Sequence, residues 1–152
     1  MTTLPEPLLP EDDNDHAARM YMTNSTVVAE LDPVALANFR WSLWNLATTL
    51  PLGEDIDIWS DQVMLAELGS ISIKYCEITL IGEGPVGARL HNSNAELLHR
   101  GDRVDLSVNR LQAEKAYQDL ESLNGNEIGH LVTLFGKLTI KVVETKGEQT
   151  HA

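Results

Sequence analysis

The residue types able to do chemistry in this chain are few and scattered. Five histidines (His16, His91, His99, His130 and His151) and one cysteine, Cys76, are spread over 152 residues. No two histidines stand four apart as they would on a zinc-binding helix, and Cys76 has no second cysteine with which to share a metal or a disulfide. Cys76 lies inside an apolar run, where a lone thiol acts as a small hydrophobe. Neither a G-x-S-x-G elbow nor a cysteine with a histidine in reach is present, so no catalytic residue is assigned. Ser70, Ser72 and Ser107 fall in ordinary strand or turn contexts. Glu54, Asp55, Asp57 and Asp61 are oxygen ligands by type. They lack the glycine and the terminal glutamate of a calcium loop, so they are expected to form a solvated loop, and no metal site is assigned.

One motif goes further. Gly82-Glu83-Gly84-Pro85-Val86-Gly87 fits G-x-G-x-x-G and follows an expected strand. With the strand pattern RVDLSV and Asn109-Arg110 downstream, the segment from Glu77 to Arg110 resembles the opening βαβ unit of Rossmann dinucleotide-binding proteins. That resemblance implies glycines that let the backbone approach a pyrophosphate at a helix N-terminus. It also places Arg110 where NADP-binding members meet the 2′-phosphate. Gly82, Gly84, Gly87 and Arg110 are therefore the residues of an alternative, dinucleotide-binding function. Against it, residues 88–100 include His91-Asn92-Ser93-Asn94, poor helix formers where that family has its first helix. No acidic residue ends the second strand, and too few strands follow to complete such a sheet. A plain turn between two strands accounts for the glycines equally well, and no cofactor is assigned.

The elements that would position these groups follow from periodicity and caps. Asp32-Pro33 is a helix start, with Asp as N-cap and Pro at the first helical position. Leu36, Phe39, Leu43, Leu46 and Leu50 then form one apolar stripe, giving a helix over about 33–50. Trp41 and Trp44 flank that stripe. They are either part of the core or, since tryptophan is enriched at interaction hot spots, part of a partner-binding surface. Within Ile71 to Ile81 the apolar phase flips after Tyr75, which predicts a β-bulge or a switch between sheets. Val104, Leu106 and Val108 mark a strand, and Asn109 caps a second helix over about 110–123. His130–Phe135 and Leu138–Glu144 form a C-terminal hairpin, with Gly136-Lys137 suited to a type II′ turn. No internal repeat is visible. The expected class is α+β: a mostly antiparallel sheet with two helices.

Residues 1–22 are expected to form an extended arm, 23–146 a single domain and 147–152 a polar tail. Pro5, Pro7 and Pro10 block regular hydrogen bonding in the arm, and Leu4, Leu8 and Leu9 punctuate it as in a segment that docks on a neighbour. The chain carries 23 acidic residues against 11 Lys plus Arg, a net charge of −12. Residues 1–32 hold seven acids and Arg19 alone, whereas residues 95–152 are nearly balanced. Such a charge repels phosphate backbones and favours basic partners. No signal peptide opens the sequence and no run of apolar residues has the length of a membrane span, which is compatible with a cytoplasmic or assembled-particle location. The expected function is non-catalytic protein–protein contact: a structural, assembly or adaptor subunit of a larger complex such as a virion, with Leu4, Leu8, Leu9, Trp41 and Trp44 as contact residues and either a protein partner or its own subunits as the target. The alternative close to it is an acidic inhibitor or immunity-type protein that covers a basic surface.

Overall fold

Asn24 and Ser25 both have positive φ, 52° and 65°, as a two-residue turn of the primed type requires. They join β1 (Ala18–Thr23) to β2 (Thr26–Leu31), with Thr23 opposite Thr26. This hairpin opens a computed structural model that describes residues 18–60, 70–83, 96–123 and 131–143. The arm expected over residues 1–22 thus overlaps the sheet: Ala18, Met20 and Met22 are buried on the inner face of β1. Leu4, Leu8 and Leu9 lie outside the described residues.

β2 runs almost directly into α1 (Pro33–Thr48). Only Asp32 intervenes, and its side chain accepts the Ala35 N–H at 2.8 Å. The stripe expected from the sequence is the buried one, with Leu36, Leu43 and Leu46 fully enclosed. Each such side chain contributes roughly 1.5–3 kcal/mol by leaving water. Beyond the helix come β3 (Asp55–Trp59), β4 (Ser70–Ile73) and β5 (Tyr75–Gly82). β4 pairs with β1 and β5 with β3, so the chain changes sheets at Lys74. The phase flip at Tyr75-Cys76 is the sequence record of that change.

The second half repeats the first. β6 (Glu96–Arg100) and β7 (Arg103–Asn109) form a hairpin across Gly101-Asp102, and Asn109 caps α2 (Arg110–Glu121). Asn109 accepts from the Gln112 N–H at 2.8 Å, and Gln112 Oε1 accepts the Asn109 N–H at 2.9 Å. β8 (Leu131–Leu134) and β9 (Leu138–Val142) follow. Asp32 and Asn109 stand 77 positions apart, and the same offset carries the Arg19–Glu30 pair onto Glu96–Ser107. It also carries buried Leu36, Phe39, Leu43 and Leu46 onto buried Ala113, Ala116, Leu120 and Leu123. The chain therefore does hold an internal repeat, hairpin–helix–antiparallel strand pair, with β4 inserted between the paired strands β3 and β5 in the first copy. It escaped the sequence because equivalent positions share burial but few residue types.

The two repeats exchange the strand pairs that follow their helices, β3-β5 and β8-β9. The five-stranded sheet runs β4-β1-β2-β9-β8 and the four-stranded sheet β3-β5-β7-β6. β9 of the second repeat lies parallel to β2 of the first, and β5 of the first lies parallel to β7 of the second. The remaining pairings are antiparallel, so the α+β class with two helices and a C-terminal hairpin holds. Both sheets and both helices contribute to one buried cluster. At the last hairpin, Phe135 and Gly136 both have positive φ, 54° and 73°. Leu134 pairs with Leu138, so Phe135, Gly136 and Lys137 form a three-residue loop in place of the expected two-residue type II′ turn at Gly136-Lys137.

Candidate functional site

The outer face of the four-stranded sheet brings together carboxylates, an arginine and two aromatic side chains from three strands. Strict alternation puts them there. In β3, Ile56 and Ile58 point into the core, which turns Asp55, Asp57 and Trp59 outward. In β5, Cys76, Ile78 and Leu80 are buried, leaving Tyr75, Glu77 and Thr79 on the other face. In β7, Val104, Leu106 and Val108 are buried, and Arg103, Asp105 and Ser107 face out. The register then stacks them in rows across the strands: Trp59 beside Tyr75 beside Arg103, and Asp57 beside Glu77 beside Asp105.

The first row is tightly held. Trp59 and Tyr75 have ring centroids 4.4 Å apart at 44°, and the Arg103 guanidinium lies 5.1 Å from the Tyr75 centroid on its face. The Tyr75 hydroxyl donates to Asp57 Oδ1 at 2.8 Å. Arg103 reaches two carboxylates, donating from Nη2 to Glu77 Oε1 and from Nε to Asp105 Oδ1, each at 2.8 Å. Trp59 nevertheless remains 56% exposed.

Carboxylates crowd the second row. Asp55, Asp57 and Glu77 each bring an oxygen within 4.8 Å of the others. The hydrogen bond with Asp55 pushes Glu77 up to about 7, helped by loss of hydration and the Asp55 charge, while Arg103 pulls the other way. Loss of hydration and the bond to Asp57 raise Tyr75 to about 12. The bond to Asp105 raises Arg103 further. Such a row can hold a cation or the charged end of a lysine or arginine. Cys76 is buried beneath it, and burial pushes its thiol up to about 12. The alternation of Asp55 to Trp59 is that of a strand, so Asp55 and Asp57 stand on β3 rather than in a solvated loop, and Asp61 lies outside the described residues.

The residues expected from the sequence fall elsewhere. Trp44 packs half-buried against the core, while Trp41 is 38% exposed on α1. Gly82 ends β5 opposite Asn109, and Gly84 and Gly87 lie outside the described residues. The described part of the connection from β5 to β7 is a strand, β6, where the Rossmann resemblance implies a helix. Arg110 is engaged within the fold: it donates to Glu83 at 2.6 and 3.2 Å and to the Leu46 carbonyl at 3.1 Å. That contact holds the Glu83 carboxyl below its usual value. His99 sits with Nε2 2.6 Å from the Gly101 carbonyl, and the other four histidines lie outside the described residues. Trp59, Tyr75 and Arg103 were not anticipated as a unit. Their outward orientation is implied by the buried Cys76-Ile78-Leu80 set, but the pairing of β3 and β7 on either side of β5 is not written in any local pattern. No family model matches the chain, and no curated protein sequence matches it.

Proposed function

We propose that the protein acts by contact, as an assembly or adaptor subunit that presents the outer face of the four-stranded sheet to a basic protein partner. One observation carries this reading: an exposed tryptophan stacked on a tyrosine that is itself fixed by Asp57 and Arg103. Trp, Tyr and Arg are the residue types that dominate binding hot spots. Here they are already ordered, so binding forfeits little side-chain entropy. The neighbouring carboxylate row and the net charge of −12 select a partner of opposite sign. The same row favours the inhibitor-type variant, in which the face covers a basic functional surface of its target. Trp41 is retained as a second exposed anchor on another element.

The test is a quantitative comparison of tagged wild-type chain and the Trp59→Ala/Arg103→Ala pair, each recovered from source cells at low and high salt. A stoichiometric basic partner should accompany the wild type, dissociate with rising salt and be lost from the double variant. Recovery of the same partner at undiminished level by the double variant would remove this face from the function. Salt-insensitive binding would remove its electrostatic basis.

A further inference from the structure

The two repeats differ at several buried helix positions, and one of these lies beside open space. Position 39 of α1 carries a phenylalanine, buried in the core; its counterpart in α2 is Ala116. Beside Ala116, between α2 and the end of β8, a cleft of about 270 Å³ opens. Ala116, Leu134 and Phe135 form its apolar floor, and Gln112, Lys115, Asp119 and Thr133 its polar side. Phe135 is held at φ 54°, a left-handed conformation that a bulky side chain rarely adopts. Strain of this kind persists where the surrounding structure over-determines it, and it gathers at ligand sites.

The geometry points to a binding site for a small zwitterion with a single ring or a comparable apolar side chain, of amino-acid size. An apolar cavity of about 150 Å³ holds benzene, so the α2–β8 cleft has room for one ring and a short polar head. It stands at the small end of ligand pockets. The rim supplies both signs: Lys115 Nζ and Asp119 Oδ1 lie 3.0 Å apart with side chains 58% and 37% exposed. A solvent-exposed pair one helical turn apart is weak. It opens at little cost to take a carboxylate on Lys115 and an ammonium on Asp119. The ring of the ligand then occupies in the second repeat the place that the Phe39 ring takes in the first.

Methyl NMR with L-phenylalanine as probe tests this, with phenylacetate and phenethylamine as singly charged controls. L-Phenylalanine should shift the Ala116 and Leu134 methyl signals and bind at least fivefold more tightly than either control. Ala116→Phe, which restores the ring of the first repeat, should fold and abolish the shifts. If that variant fails to fold, the exposed pair Lys115→Ala and Asp119→Ala should each reduce the affinity for L-phenylalanine to that of a singly charged control. Absence of shifts with L-phenylalanine, equal binding of the controls, or undiminished binding by folded Ala116→Phe or by either rim variant would overturn the proposal. The cleft shares no residue with the Trp59 face, so either result leaves the contact function to its own test.

Discussion

Arg40 and Tyr117 occupy equivalent positions of the two repeats, 77 residues apart, and the guanidinium of one lies 4.8 Å from the ring centroid of the other, over its face. Equivalent residues can meet only close to the axis that relates the repeats, so this contact marks where α1 and α2 cross. Arg40 is 4% exposed, and its buried Nε–H has no hydrogen-bond partner among the described residues. A buried cation without full pairing contributes less to stability than its packing does. Arg40→Met keeps most of the packed stem and removes the charge, and its unfolding free energy should stay within about 1 kcal/mol of wild type or rise. Arg40→Ala loses the stem and the cation–π contact together and should cost about 2–4 kcal/mol. Urea denaturation at constant pH measures both. Equal losses in the two variants would show that the charge itself is required.

The two helix caps should be separable by the same measurement. Asp32 is fully buried, and its removal leaves the Ala35 N–H without its acceptor. Asn109 accepts one hydrogen bond through its side chain and donates another through its backbone N–H to Gln112. Asp32→Ala should cost about 2 kcal/mol, at the upper end for a cap, because water cannot replace the lost oxygen. Asn109→Ala should cost about 1–2 kcal/mol, with the backbone half of the capping box left in place.

These caps are also where the sequence was most legible. Asp32-Pro33 and Asn109 carry their signal within four residues, so both helices could be placed before any tertiary information. The sheet change at Lys74 was legible too, because a strand that moves its buried face must shift its apolar phase. The repeat was not. Leu43 and Leu120, Leu46 and Leu123, and Val27 and Val104 coincide, but Phe39 faces Ala116 and Arg40 faces Tyr117 in the alignment. Geometry was retained while volumes and charges were redistributed between the halves. β1 was obscured by the proline-rich acidic stretch before it. The Trp59 face was hidden because its residues come from three strands spanning residues 55 to 109, joined by a pairing that only the whole fold defines.

The β1–β2 turn is open to improvement. Ser25 sits at φ 65° with no special tolerance for that region, whereas its neighbour Asn24 is among the residues that enter it readily. Ser25→Gly creates the Asn-Gly pair preferred in this turn. Relief of about 1–2 kcal/mol of steric cost, less roughly 0.5–1 kcal/mol of added chain entropy in the unfolded state, leaves a net gain of about 0.5–1 kcal/mol. A rise in denaturation midpoint without a change in its slope is the expected result. A fall would mean that the serine side chain contributes more than its backbone costs.

Glu77 should make stability depend on pH in a direction opposite to that of most carboxylates. Its folded value, about 7, lies above its ordinary value of 4.5 because of the hydrogen bond with Asp55, burial and the Asp55 charge. Between these two values the native state holds a proton that the unfolded chain has released, so unfolding free energy falls as pH rises through the window. Below about 4.5 the contribution is fully present, and above about 7 it has been lost. Glu77→Gln cannot ionise, so its stability should decline less than that of wild type from pH 5 to pH 8. Asp55→Asn, whose amide donates to an ionised Glu77 and carries no charge, should shift the remaining decline toward lower pH. Parallel pH profiles for wild type and Glu77→Gln would show that Glu77 titrates alike in the folded and unfolded chain. The Asp55 contact would then have no energetic consequence.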